Sequence, residues 1–186
     1  RQMCIRDRNK DSVKCIGETG LDFNRNFSTP EQQIESFEAH LELSIDEDLP
    51  LFLHERDAHE KFVEITSTYI DNLPKSVVHC FTGDKDSLMK YLEMGFYIGI
   101  TGWLCDERRG THLEELIPLI PLERLMIETD SPYLLPRDMG LDNSTRNEPK
   151  YLPHIAKKIS RLRNESEELV ISAIYMNSMD FFDISI

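Results

Sequence analysis

A chain of 186 residues, 40% hydrophobic and 30% charged, has the size and composition of one soluble globular domain. Its formal charge of −13 excludes a protein that grips nucleic acid with a broad basic face, and no apolar run is long enough to cross a bilayer. Four cysteines, Cys4, Cys15, Cys80 and Cys105, stand far apart with no C-x-x-C pair, and the first residues lack a secretion signal, so free thiols in the cytoplasm are expected.

In chain order, residues 1–12 are polar and carry no periodicity. An apolar run over 13–17 predicts a strand that ends in the turn Gly17-Glu18-Thr19-Gly20. Ser28-Thr29-Pro30-Glu31 is a helix start, and Ile34, Phe37, Leu41 and Ile45 keep helical spacing over 30–48. A strand over 49–53 leads to His54, and a helix over 57–71 has Phe62, Ile65 and Tyr69 on its inner stripe. A third strand, 76–80, carries Val78-His79-Cys80, and a helix follows over 84–94. Residues 96–101 form the fourth strand, 102–110 a polar loop, 111–120 a short helix and 124–128 the fifth strand. A long loop over 131–147 and helices over 148–163 and 165–182 finish the chain. Strand and helix alternate with no hairpin signal, which predicts an α/β fold with a parallel sheet covered by helices. Runs such as Leu51-Phe52-Leu53 and Val77-Val78 suit strands buried on both faces.

Four strand ends present Glu18, His54, His79 and Asp130, side chains that together suit a divalent cation. Taken alone, Glu18 reads equally as a loop or capping acid, His54 as a satisfied histidine at a sheet edge, and Asp130 as a cap for a helix beginning at Pro132. Their equivalent positions favour the metal reading. Strand alternation turns His79 inward and Cys80 toward the helices. Asp22 reads as a turn residue or one that only supports the site, and His40, His59, His112 and His154 as structural. Trp103 reads either as loop packing or as a surface for stacking a base beside the phosphate-binding guanidinium groups of Arg108 and Arg109. Seven acids and no Lys or Arg lie between Glu31 and Asp48, whereas Arg25, Arg56, Lys85, Arg108, Arg109, Arg137 and Arg146 follow the proposed strands. A basic mouth on an acidic body is compatible with a polyanionic substrate.

The motifs Gly17-Glu18-Thr19-Gly20-Leu21-Asp22, His54-x-Arg56-x-Ala58, Val78-His79-Cys80-Phe81-Thr82-Gly83 and Glu128-Thr129-Asp130-Ser131-Pro132 resemble, in order, those of the TatD family of metal-dependent deoxyribonucleases. Trp103 to Gly110, Arg146-Asn147-Glu148-Pro149 and Leu152-Pro153-His154 resemble its bacterial branch. The resemblance implies a TIM-type (β/α) barrel of the amidohydrolase superfamily and removal of nucleotides from 3′ ends of single-stranded DNA by a monomer using Mg²⁺. Zn²⁺ and Mn²⁺ suit the same donors. It implies Glu18, His54, His79 and Asp130 as ligands, with Glu18 and Asp130 catalytic, and Arg56, Trp103, Arg108 and Arg109 against the substrate. Many members begin with a strand bearing His-x-His, which this chain does not show, and Arg1 to Arg8 do not resemble the family. The expectation is one domain over 1–186, a partial barrel of about five strands without its first strands, with 1–8 foreign to it. Two other readings stand beside the nuclease: an amidohydrolase acting on a small amide or ester, and an inactive fragment or binding module.

Overall fold

The structure, a computed structural model, describes residues 12–142 and 144–185. The expected foreign segment 1–8 and Cys4 lie outside the described residues. Five strands, β1 (Ile16–Asp22), β2 (Leu51–Arg56), β3 (Ser76–Val78), β4 (Tyr97–Ile100) and β5 (Leu125–Ile127), have the sheet order β1-β2-β3-β4-β5. Between and after them come α1 (Pro30–Glu47), α2 (His59–Tyr69), α3 (Lys85–Glu93), α4 (Thr111–Leu116), α5 (Leu152–Arg163) and α6 (Glu167–Phe181). This is the expected parallel α/β arrangement, a five-strand portion of a TIM-type barrel. The chain divides into two compact units, residues up to Val77 with those from Phe181, and Val78–Asp180. Among the described residues no helix is long and apolar enough to cross a membrane.

In the first unit, α1 starts as its sequence dictates. Thr29 accepts the Gln32 N–H, the Gln32 side chain returns to the Thr29 backbone, and Pro30 opens the first turn. Phe37 and Leu41 are fully buried, and the third buried position is Ser44 rather than the neighbouring Ile45. Ser44 bears burial because its hydroxyl donates to the Leu49 carbonyl at 2.6 Å. Phe37 stacks on Phe62 of α2 at 5.2 Å between ring centroids. Within α2 the buried hydroxyl of Thr66 donates to the Phe62 carbonyl.

The first strand departs from expectation. It runs on through Gly17-Glu18-Thr19-Gly20 to Asp22, where the glycines predicted a turn. Gly17 pairs with Phe52 and Thr19 with Leu53, so Glu18 is an extra residue bulged out of the ladder. Gly20 is required where it stands: a Cβ there would lie 1.9 Å from the His54 carbonyl oxygen. The pairing of Gly20 with His54 and of Asp22 with Arg56 then carries β2 past His54, which lies inside the strand rather than after it.

In the second unit β4 and β5 pair in parallel, Ile98 with Leu125 and Ile100 with Ile127. Tyr97 to Ile100 are buried throughout, as a strand covered on both faces requires. Asp84 caps α3 by accepting the Ser87 N–H. The polar loop begins with a 3₁₀ turn, Gly102–Cys105, and the long loop contains another, Arg137–Met139. Buried Asn147 donates to the carbonyls of Thr129, Tyr133 and Leu134, fixing the chain that leaves β5.

Candidate functional site

In the first unit the bulge presents Glu18 to β2. Glu18 Oε1 lies 3.1 Å from His54 Nδ1, and Asp22 Oδ2 lies 3.4 Å from His54 Nε2. Both ring nitrogens therefore face carboxylates. Burial alone would raise the Asp22 carboxyl, but the Arg25 N–H, the His54 ring and the Asn24 N–H outweigh it and hold it below the usual carboxylate range. Asp22 thus stays anionic beside the His54 ring. Glu18 Oε1 and His54 Nδ1 thus place a carboxylate and an imidazole donor side by side, a pair that suits a divalent cation. Of the two sequence readings of Asp22, turn residue or support for the site, its position on β1 against His54 fits the second. Arg56 closes β2, half-buried and in register with Asp22.

In the second unit His79 follows β3 directly and is 7% exposed; the strand ends at Val78, short of the expected 76–80, so strand alternation does not extend to His79 and Cys80. Its Nδ1 lies 3.6 Å from Glu128 Oε2, while Glu128 Oε1 accepts the Cys80 N–H at 2.5 Å. Sequence reasoning missed Glu128. Its carboxylate occupies space left by Gly99 on the adjacent strand, where a Cβ would come within 2.7 Å of Oε1; a glycine within a buried strand was the available signal. Asp130, in contrast, is exposed in a left-handed conformation (φ 55°) two residues further on. No helix begins at Pro132, which removes the capping reading of Asp130. Cys80 Sγ lies 3.6 Å from the Thr101 hydroxyl.

The same unit holds the predicted arginines. Asp106, 2% exposed, accepts from Nε and Nη2 of both Arg108 and Arg109 at 2.7–3.1 Å. Those arginine bonds, the Arg108 side chain's first, overcome burial and hold the Asp106 carboxyl far below the carboxylate range. Arg109 lies flat on Trp103, its guanidinium carbon 4.1 Å from the ring centroid, so one face of the indole is already covered. A cavity of about 220 Å³ is lined by Arg108, Arg109 and Arg137 among others.

His40 and His112 are structural as expected, held to the carbonyls of Ser36 and Thr82. His154 belongs to a group with Cys105 and Asp138 whose donor atoms lie within 4.8 Å of one another. There His154 Nε2 meets Asp138 at 2.6 Å and burial, aided by the Asp138 charge, pushes the Cys105 thiol up to about 12. Groups with metal-binding donors therefore occur in each unit.

Comparison with known proteins places the fold and these motifs in one family. The TatD related DNase family matches residues 3–183. The chain is 51% identical over 175 residues to the 3′-5′ ssDNA/RNA exonuclease TatD of Citrobacter rodentium, covering 94% of this chain and 66% of that protein. The Escherichia coli K12 protein of that name is 51% identical over 174 residues, 93% of this chain and 67% of the relative. The chain thus spans about two thirds of the length of the curated relatives it matches. Among solved structures it is similar to a TatD-family hydrolase from Entamoeba histolytica, with a TM-score of 0.85, 29% identity, and 98% and 67% of the two chains covered. A TatD homologue from Escherichia coli K12 gives 0.84 and 26%, covering 98% and 68%. From sequence, fold and strand-end motifs alike, this chain belongs to the TatD-related DNase family, whose members are metal-dependent hydrolases.

Proposed function

We propose that the protein hydrolyses phosphodiester bonds in single-stranded DNA or RNA from the 3′ end, in the cytoplasm, with Mg²⁺ held by Glu18, His54, His79 and Asp130. The relatives named as 3′-5′ ssDNA/RNA exonucleases support the reaction and its polarity. The observation that carries the metal site is Glu18 Oε1 facing a His54 nitrogen at 3.1 Å while Asp22 holds the opposite nitrogen.

When bound, the ion would make a bound water more acidic and offset charge on a phosphoryl oxygen. The chain's own groups do the rest. Asp22 fixes the His54 tautomer by accepting at Nε2, and Glu128 orients His79 while capping the Cys80 N–H. Exposed Asp130 takes the proton of the attacking water. Arg56, beside Asp22 at the end of β2, offsets negative charge as the bond to the 3′ leaving group breaks. Trp103, Arg108 and Arg109 contact the strand away from the cleaved bond.

The test is shortening of a single-stranded DNA and a matching RNA, labelled at the 5′ end, with Mg²⁺, Mn²⁺, Zn²⁺ or chelator. The reading predicts metal-dependent loss from the 3′ end and a decrease of about 10²- to 10⁴-fold in Asp130→Asn. Shortening that persists in chelator, or is equal in the variant, would refute it.

A further inference from the structure

The arginine loop contains more hydrogen-bond donors than the protein itself uses. Asp106 accepts two bonds from each of Arg108 and Arg109, and one more from the Arg108 backbone. Each guanidinium has five N–H donors, so both retain donors beyond those given to Asp106. Arg137 enters from the second 3₁₀ turn. Its Nε is shielded from solvent and has no hydrogen-bond partner among the described residues; Asp106 Oδ1 lies 3.9 Å away and Glu107 Oε1 4.0 Å. Three guanidinium groups therefore line one cavity of about 220 Å³ against one buried carboxylate and the exposed Glu107, in a chain of net charge −13. Leu134, Leu135 and Pro132 supply apolar wall, and Pro132 lies two residues beyond Asp130.

We infer that Arg108, Arg109 and Arg137 form a phosphate pocket that holds one backbone phosphate of the bound nucleic-acid strand. The inference rests on the nuclease reading for its choice of ligand. Guanidinium forks match phosphate oxygens in a bidentate manner, and a second anion completes a cluster that Asp106 pre-organises but only partly satisfies. In this arrangement Trp103 supports Arg109 through its covered face.

Trp103 is the chain's single tryptophan, so its fluorescence reports on this pocket directly. The intact protein, kept in chelator so that no strand is cut, is titrated with inorganic phosphate, a 5′-mononucleotide and a single-stranded DNA oligonucleotide. The expected result is saturable change with all three, tightest for the oligonucleotide. Arg137→Gln should weaken oligonucleotide binding by about 10- to 100-fold. It should also reduce the slope of log affinity against log salt by about 0.7, the contribution of one single-strand phosphate contact. Arg137→Lys, which keeps the charge and loses the fork, should fall between the two.

An unresponsive Trp103 in protein that shortens DNA would overturn the pocket while leaving the nuclease reading intact. Response to phosphate and mononucleotide but not to the oligonucleotide would overturn the assignment to the strand. Saturable response to all three in protein that cuts no nucleic acid would support the pocket and count against the nuclease reading alone. Equal titrations for Arg137→Gln and the parent, with unchanged circular dichroism in both, would remove Arg137 from the site.

Discussion

Two regions of this molecule concentrate charge in opposite ways. At the end of β1 and β2, Glu18 and Asp22 bring carboxylate oxygens to both nitrogens of the His54 imidazole, a gathering of metal-ligand donors. In the loop at 102–110 and the turn at Arg137, three guanidinium groups gather near one buried Asp106, so donors outnumber acceptors. Each region is internally ordered, by a bulged strand in one and a buried carboxylate in the other. Carboxylates beside an imidazole suit a cation and clustered guanidinium groups suit an anion, the two things that metal-dependent phosphodiester hydrolysis brings together.

The sharpest way to break the contrast is Glu18→Gln, which keeps the shape and removes the charge from the acceptor-rich region. The metal contributes several kcal/mol to the transition state, so turnover at fixed Mg²⁺ should fall by about 10³-fold, measured as initial rate of strand shortening. Asp22→Asn should be milder, about 10- to 100-fold in metal affinity or rate, because it touches the ion only through His54. Equal losses in the two variants would place Asp22 on the metal itself.

In the donor-rich region Asp106→Asn should lower unfolding free energy near pH 7 by about 1–3 kcal/mol, since a charged acceptor for two arginines is replaced by a neutral one. The sign with pH follows from its depressed carboxyl. The stabilisation is complete above the unfolded value near 4 and is lost as pH falls toward the folded value. The gap between urea titrations of parent and variant should therefore narrow as pH falls below about 4, and a gap that widens on acidification would contradict the assignment. The smallest effect is expected for Arg25→Ala. Arg25 holds Asp22 chiefly through its backbone N–H, and its exposed side chain lies 3.6 Å away, so thermal unfolding should show a loss below about 1 kcal/mol.

Much of this was legible in the sequence, for identifiable reasons. The alternation of apolar runs with helical periods specified five parallel strands, because buried strands need continuous Leu, Ile and Val. Glu18, His54, His79 and Asp130 stood out because each follows such a run. The length of β1 was hidden because a glycine-rich stretch reads as a turn, whereas here Gly20 allows the backbone of His54 to approach and keeps the strand going to Asp22. Glu128 was hidden because its role depends on pairing across strands, which puts it in the space at Gly99, whereas Asp22 was legible as a supporting residue without its partner. Arg108 and Arg109 were visible as a basic pair, but Asp106 as their organiser was not. A buried carboxylate is recognisable only once the groups around it are placed. Arg137 was noted as one basic residue among several; the cavity it shares arises from two loops separated by more than twenty residues.

The central claim is that the strand-end carboxylates and histidines hold a cation. Electron paramagnetic resonance of Mn²⁺, titrated into the parent protein and into Glu18→Gln, measures this without relying on turnover. The account predicts saturable loss of the free Mn²⁺ signal with the parent and binding weakened at least tenfold in the variant. Identical Mn²⁺ binding by the two proteins, both folded, would contradict it.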